Sequence, residues 1–162
     1  AKKRKPNKMK SYLYGAYGSN LNIEQMKIRC PHARMVGAIE LDGFELRFRG
    51  VADIEIKEGA TAMIGLWRIT DYCEEALDIY EGYPTLYEKI MVELPDEGIV
   101  GVEEEVMLYM MGEQGEVYPP SQRYLLSIAS GYAHFNIQKD CLVDAVRHAY
   151  ANETVAKWKL KK

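Results

Sequence analysis

Cysteine, histidine and long apolar runs are all scarce in this chain. The cysteines are Cys30, Cys73 and Cys141, an odd number, widely spaced and without any Cys-x-x-Cys. That pattern excludes a disulfide framework and a zinc knuckle and implies a reducing, cytoplasmic setting. The three histidines, His32, His134 and His148, form no His-x-x-x-His, and no acidic loop of the calcium type occurs, so no metal site is expected. No apolar run approaches the ~18 residues of a membrane span, and the basic start is not followed by an apolar segment, so neither a membrane role nor a signal peptide is expected. Repeats, low-complexity tracts and long Pro/Gly/Ser linkers are missing as well.

What is present is ordinary globular material: 162 residues, 48% hydrophobic and 28% charged, which implies one domain with a sizeable core. The net charge of -3 hides an asymmetry. Residues 1–10 carry six basic groups and 157–162 carry four, so the body between them keeps 11 basic residues against all 24 acidic ones, a balance of -13. The expected organisation is a basic tail over 1–10, a domain over 11–156 and a second basic tail over 157–162. An acidic body is a poor nucleic-acid surface, and its long-range field favours a cationic ligand.

The chain reads as α+β. Tyr12–Tyr17 is an aromatic strand stopping at Gly18-Ser19-Asn20, and Asn22 with Gln25 resembles a capping box. Ile23, Met26 and Cys30 share one helical face, which Pro31 closes. Phe44, Leu46 and Phe48 alternate with Glu45, Arg47 and Arg49, the period-two pattern of a half-exposed strand. The apolar run Ala60–Ile69 reads as a strand buried on both faces. Thr70 caps a helix over Asp71–Tyr80 with Cys73, Leu77 and Tyr80 inward, and Gly82 stands where a C-terminal glycine cap belongs. Tyr87–Leu94 and Val106–Met111 are two more strands around an Asp96-Glu97-Gly98 turn. Pro119-Pro120-Ser121 opens a helix carrying Tyr124, Ile128 and Tyr132, and a last one over Asp140–Tyr150 turns Leu142, Val143, Val146 and Tyr150 to one side. Strands with interspersed helices favour a mixed, closed sheet over a doubly wound fold.

Few residues here suit covalent catalysis. Ser19 lies between strand and helix, but Tyr17 and Leu21 occupy the positions where a nucleophile elbow needs glycine. Cys73 and Cys141 fall on core-like helical positions. The loop Tyr14-Gly15-Ala16-Tyr17-Gly18-Ser19-Asn20-Leu21 lacks the G-x-G-x-x-G spacing of a dinucleotide site. Its small residues still let a ligand approach the backbone, whose successive N–H groups suit an anion or oxyanion. Alternatively, Gly18 only permits the turn and Gly15 only relieves packing. Glu81, at a helix exit among tyrosines, is either a desolvated carboxyl with base-like proton affinity or a solvated helix end.

Tyr-Gly-Ser-Asn-Leu (17–21), followed about sixty residues later by Leu-Asp-x-x-Glu-Gly (77–82), resembles the γ-glutamylcyclotransferase family (AIG2-like). Gly65-Leu66-Trp67, Tyr87, Tyr109 and Pro119-Pro120-Ser121-x-x-Tyr124 extend the likeness over Tyr12–Tyr132. The resemblance implies a single-domain small mixed β-barrel flanked by helices. It implies cyclisation of a γ-glutamyl group to 5-oxoproline with release of the attached amine or amino acid. Glu81 then corresponds to the catalytic general acid/base, the loop from Tyr14 to Ser19 to the pocket loop and Tyr124 to a substrate-contacting tyrosine, with no cofactor required; Asn20, Leu21 and Tyr87 complete the expected substrate-binding residues. Gly15 departs from the family, where an aromatic residue is common, and is expected to widen the pocket. The implied partner is a small γ-glutamyl compound: a glutathione-type peptide, a γ-glutamyl amino acid or a cationic γ-glutamylamine. The protein is expected as a monomer or homodimer. The competing reading is a non-catalytic ligand- or protein-binding module with the same pocket.

Overall fold

In a computed structural model of the chain, residues 10–94 and 104–160 are described, with 154–160 described as backbone only. The Asp96-Glu97-Gly98 turn lies outside them. Five strands, β1 (Ser11–Ala16), β2 (Arg34–Arg49), β3 (Val51–Thr70), β4 (Tyr87–Leu94) and β5 (Glu104–Met111), form one sheet in the order β2-β3-β1-β5-β4. Four α-helices, α1 (Ile23–Arg29), α2 (Asp71–Glu81), α3 (Gln122–His134) and α4 (Asp140–Leu160), flank it, and a 3-10 turn over Ser19–Leu21 follows β1. Strand β1 is antiparallel to β3 and parallel to β5, so the sheet is mixed. Among the described residues no helix is long and apolar enough to cross a membrane.

The sheet is not a closed barrel. Strands β2 and β4 are its ends, and closure is replaced by curvature plus side-chain bonds. The β2–β3 hairpin shifts register at Met35/Gly37 and Asp42/Phe44, and such irregularities bend and twist a strand. Its tip therefore curls back to β4 and β5. There the Tyr87 hydroxyl donates to the Ala52 carbonyl (2.5 Å), and fully buried Asp53 accepts from the Met111 N–H (3.0 Å) and from Arg49 (3.0 Å). Burial raises the Asp53 pKa, and these donors oppose the rise.

Several sequence expectations change for physical reasons. Arg47, expected to face water, is buried between Glu45 (2.8 Å) and Glu55 (2.9 Å), so the polar face of β2 is an ion-pair layer. Asn22 caps α1 by accepting from the Glu24 and Gln25 N–H groups, while the Gln25 amide donates to Ser127 instead of completing a capping box. Thr70 precedes α2 without a side-chain capping bond. On α4 the buried residues are Leu142, Ala145 and Ala149, whereas Val143 and Tyr150 are exposed, and the helix runs on into the basic stretch as far as Leu160.

The 3-10 turn is anchored by Leu21, which is fully buried. A Cβ on Gly65 of β3 would lie 2.5 Å from Leu21 Cδ2, and one on Gly131 of α3 would lie 2.5 Å from Leu21 Cβ and 2.6 Å from its carbonyl carbon. Both glycines are therefore required by close approach. Replacing Gly131 with alanine presses on backbone that cannot swing aside, so Gly131→Ala is expected to cost about 1–3 kcal/mol, seen as a Tm lowered by about 2–4 °C per kcal/mol. An unchanged melting curve would contradict this packing.

Candidate active site

The turn held by Leu21 and the C-terminus of α2 face each other across a cavity of about 170 Å³. That is small beside the ~300–1,000 Å³ of drug-sized sites and suits a group the size of an amino acid. Tyr14, Tyr17, Gly18, Ser19, Asn20, Glu81, Tyr87 and Tyr124 line it together. Gly15, Ala16 and Leu21 do not. A Cβ on Gly15 would meet Ile64 and Leu108 at 2.8 Å, so this glycine permits strand packing behind the wall and does not widen the pocket. Gly18 does serve the cavity, since a Cβ there would lie 3.0 Å from the Tyr124 hydroxyl.

Tyr109, which the resemblance includes without a site role, and Tyr80, Val51, Ala52 and Leu86 also line the cavity, and Tyr80, expected inward, is exposed at its mouth. Adjacency to an expected site residue, Tyr80 to Glu81 and Leu86 to Tyr87, is the signal available in the sequence. Ala52 and Val51 had none, because the curl of the hairpin brings them there.

Glu81 is the last residue of α2. Gly82 follows in the left-handed region (φ 64°), its N–H bonding the Ile79 carbonyl (3.3 Å) while the Tyr83 N–H reaches the Asp78 carbonyl (2.9 Å). This six-to-one closure fixes the helix exit and with it the direction of the Glu81 side chain. Burial pushes the Glu81 pKa up to about 7, with the Arg29 guanidinium the opposing influence. Its Oε1 accepts from the Asn20 amide at 3.3 Å.

The hydroxyls around it have assignable protons. Tyr17 donates to the Tyr109 carbonyl (2.5 Å) and Tyr87 to the Ala52 carbonyl (2.5 Å), so their protons are committed. Tyr14 accepts from the Asn20 amide (3.0 Å) and Tyr124 from the Ala52 N–H (3.0 Å), so each keeps its proton for another acceptor. Burial raises all four phenol pKa values, which keeps them neutral. Ser19 Oγ is 2.8 Å from the Tyr80 hydroxyl. No histidine lines the cavity: the His134 Nδ1 is engaged by the Ile23 N–H (3.1 Å), and burial pushes the Cys30 thiol up to about 12. Among the described residues no three His, Cys, Asp or Glu side chains are placed to hold a metal. The one group here suited to exchanging a proton near neutrality is Glu81.

A mixed, curled sheet with a strand–turn–helix loop over a helix-end carboxyl defines the fold class. The chain matches the family model "Gamma-glutamyl cyclotransferase, AIG2-like" over residues 14–131 and belongs to that family. Similar solved structures include a gamma-glutamyl cyclotransferase, at 27% identity over 78% of this chain and 80% of that one with a TM-score of 0.68. An uncharacterized protein from Homo sapiens is 28% identical over 77% of this chain and 80% of that one, at TM-score 0.67. YkqA from Bacillus subtilis shares the fold, with 24% identity over 88% of this chain and 55% of that one and a TM-score of 0.72. No curated protein sequence matches.

The raised pKa has a thermodynamic consequence. A carboxyl with higher proton affinity in the folded than in the unfolded chain favours folding fully below the unfolded value near 4.5, and that contribution is lost as pH rises through about 7. Glu81→Gln cannot ionise, so its Tm relative to wild type is expected to increase between pH 4.5 and 7 and to level off above. A Tm difference that stays constant across this range would show that Glu81 is solvated.

Proposed function

We propose that this protein is a γ-glutamylcyclotransferase-type enzyme with Glu81 as its general acid/base. The observation that carries the reading is the Glu81 carboxyl itself, desolvated, with a pKa of about 7, in an amino-acid-sized cavity opposite the Ser19–Asn20 turn. In this reaction the substrate's own α-amine attacks its γ-carbonyl. A carbon–nitrogen bond forms to close the five-membered lactam, and the bond to the leaving nitrogen breaks. Glu81 takes the proton from the attacking amine and returns one to the departing nitrogen. The protein supplies no nucleophile. Its main task is to hold amine and carbonyl in contact, for which intramolecular orientation supplies several kcal/mol.

The remaining roles follow from the hydroxyl inventory. Tyr14 and Tyr124, with uncommitted protons, donate to the glutamyl carboxylate or the γ-carbonyl oxygen, while Tyr17 and Tyr87 form fixed walls and Ser19 orients the glutamyl chain. The Ser19 and Asn20 N–H groups, at the start of the 3-10 turn, have no acceptor within it and suit a developing oxyanion. The leaving amine points to the mouth, where Val51, Tyr80 and Leu86 are 37%, 43% and 51% exposed.

The decisive test is 5-oxoproline release from a panel of γ-glutamyl peptides, amino acids and amines. Glu81→Gln is expected to lower kcat by about 10²-fold or more with KM largely kept, and Ser19→Ala to cause a moderate loss. Wild-type turnover by Glu81→Gln together with a dead Ser19→Ala would overturn the mechanism, and absence of 5-oxoproline from the whole panel would favour a binding module.

The acidic balance of the body, -13 between the basic ends, predicts a higher kcat/KM for γ-glutamyl derivatives of cationic amines than of acidic or neutral amino acids at low salt. The preference should shrink as salt screens the field. Equal values at low ionic strength would exclude it.

A further inference from the structure

Arg29 does not line the cavity, yet it touches the residues that shape it. From the last turn of α1 its Nη1 donates to Asn20 Oδ1 (2.7 Å) and its Nη2 to Gln25 Oε1 (2.9 Å), while its guanidinium carbon lies 3.5 Å from the centre of the Tyr80 ring. We propose that Arg29 is the positioning residue of this site, fixing the Asn20 amide and the Tyr80 ring and, through them, the presentation of Glu81 and Ser19.

The argument is one of donors and acceptors. A side-chain amide can turn over, exchanging its oxygen and its NH₂. Guanidinium has no acceptor, so it holds the Asn20 oxygen toward α1 and forces Nδ2 toward the cavity. There Nδ2 donates to Glu81 Oε1 (3.3 Å) and to the Tyr14 hydroxyl (3.0 Å). With the Asn20 carbonyl also held by the Trp67 indole N–H (2.9 Å), this residue is constrained at both ends. The donor on Oε1 leaves the other carboxyl oxygen for the substrate, and the donor on the Tyr14 hydroxyl leaves that phenol's proton uncommitted. On the opposite side the flat guanidinium supports Tyr80, whose hydroxyl meets Ser19 Oγ (2.8 Å). Among the described residues Arg29 is also the cation acting on Glu81. The other titratable groups acting on this carboxyl, Tyr14, Tyr17, Tyr87 and Tyr124, are neutral phenols with raised pKa values.

The inference rests on the proposed role of Glu81, and two readouts separate their failures. The first needs no turnover: carboxyl ¹³C titration of Glu81 in the substrate-free protein, assigned with Glu81→Gln. Arg29→Met, which keeps the stem and removes the charge and the fork, is expected to raise the Glu81 midpoint by about one pH unit. Arg29→Lys keeps a charge without the planar fork, so Glu81 should titrate close to its wild-type midpoint. The second readout is kinetic. Both variants are expected to lose about 10- to 100-fold in kcat, as small misplacements of reacting groups do, with KM changed much less, and the ascending limb of the pH profile should move only in Arg29→Met. A folded Arg29→Met with an unmoved Glu81 midpoint, or Arg29→Lys turning over at the wild-type rate, would overturn the proposal. If Arg29→Met does not fold, Arg29→Lys decides. If wild type releases no 5-oxoproline, the enzymatic reading fails while the titration still tests the link from Arg29 to Glu81.

Discussion

The site depends on one packing constraint, the seating of Leu21 between Gly65 of β3 and Gly131 of α3. Neither partner has a side chain to yield, so the backbone of the 3-10 turn approaches sheet and helix as closely as atoms allow. Everything the turn carries inherits that position. Ser19 and Asn20 stand just before Leu21, Asn22 just after it caps α1, and the Trp67 N–H closes on the Asn20 carbonyl. A sheet strand and two helices thus meet at one apolar residue, and the polar groups of the cavity are fixed as by-products of core packing.

Against this rigid floor stands an electrostatic cost. A carboxyl brought among buried tyrosines loses hydration that neutral phenols replace only in part, and the carbonyl end of a helix is an unfavourable neighbour for negative charge. The fold tolerates Glu81 because the helix exit is fixed by backbone bonds and because Arg29 returns part of the lost stabilisation from outside the cavity. Asp53 shows the opposite arrangement. It too is buried, but it receives Met111, Arg49 and Gln114 as donors and serves to hold the hairpin tip against β5. The number of partners, more than depth of burial, separates the structural acid from the one available for proton exchange.

Local features were readable in the sequence. The strand–turn–helix unit, Gly82 at the exit of α2 and Ser121 before α3 follow from patterns spanning three to ten residues, and the structure keeps each of them. What sequence alone did not yield depends on distant pairing. The curl of β2–β3 arises from register shifts at Gly37 and Gly43, and a lone strand glycine marks a bulge without saying which way or how far the strand bends, so the arrival of Ala52 at the cavity and the burial of Arg47 under ion pairs stayed hidden. Gly15 admitted two readings, pocket space or relief of strand packing, because loop and strand glycines look alike, and Ile64 and Leu108, which claim its empty side, decide for packing. Arg29 carries no signal in the sequence, where only Ile23, Met26 and Cys30 mark a face of this helix. Its importance appears only when α1 is docked beside Asn20 and Tyr80.

The composition of the cavity wall follows from the same reasoning. The chain has 12 tyrosines and three phenylalanines, and six of the tyrosines surround the cavity. A phenylalanine would serve as well for apolar packing at Tyr17 or Tyr87, but it would leave the Tyr109 and Ala52 carbonyls without the donors they now have and cost the desolvation of an unpaired acceptor. Tyr17 and Tyr87 therefore tie the end of β1 to β5 and β4 to the start of β3, and each places a stiff ring with only two side-chain torsions against the cavity. A wall that completes the fold cannot relax without opening the sheet. For the reaction proposed, in which the substrate brings its own nucleophile and the protein contributes mainly orientation, that coupling of fold to shape is the property required.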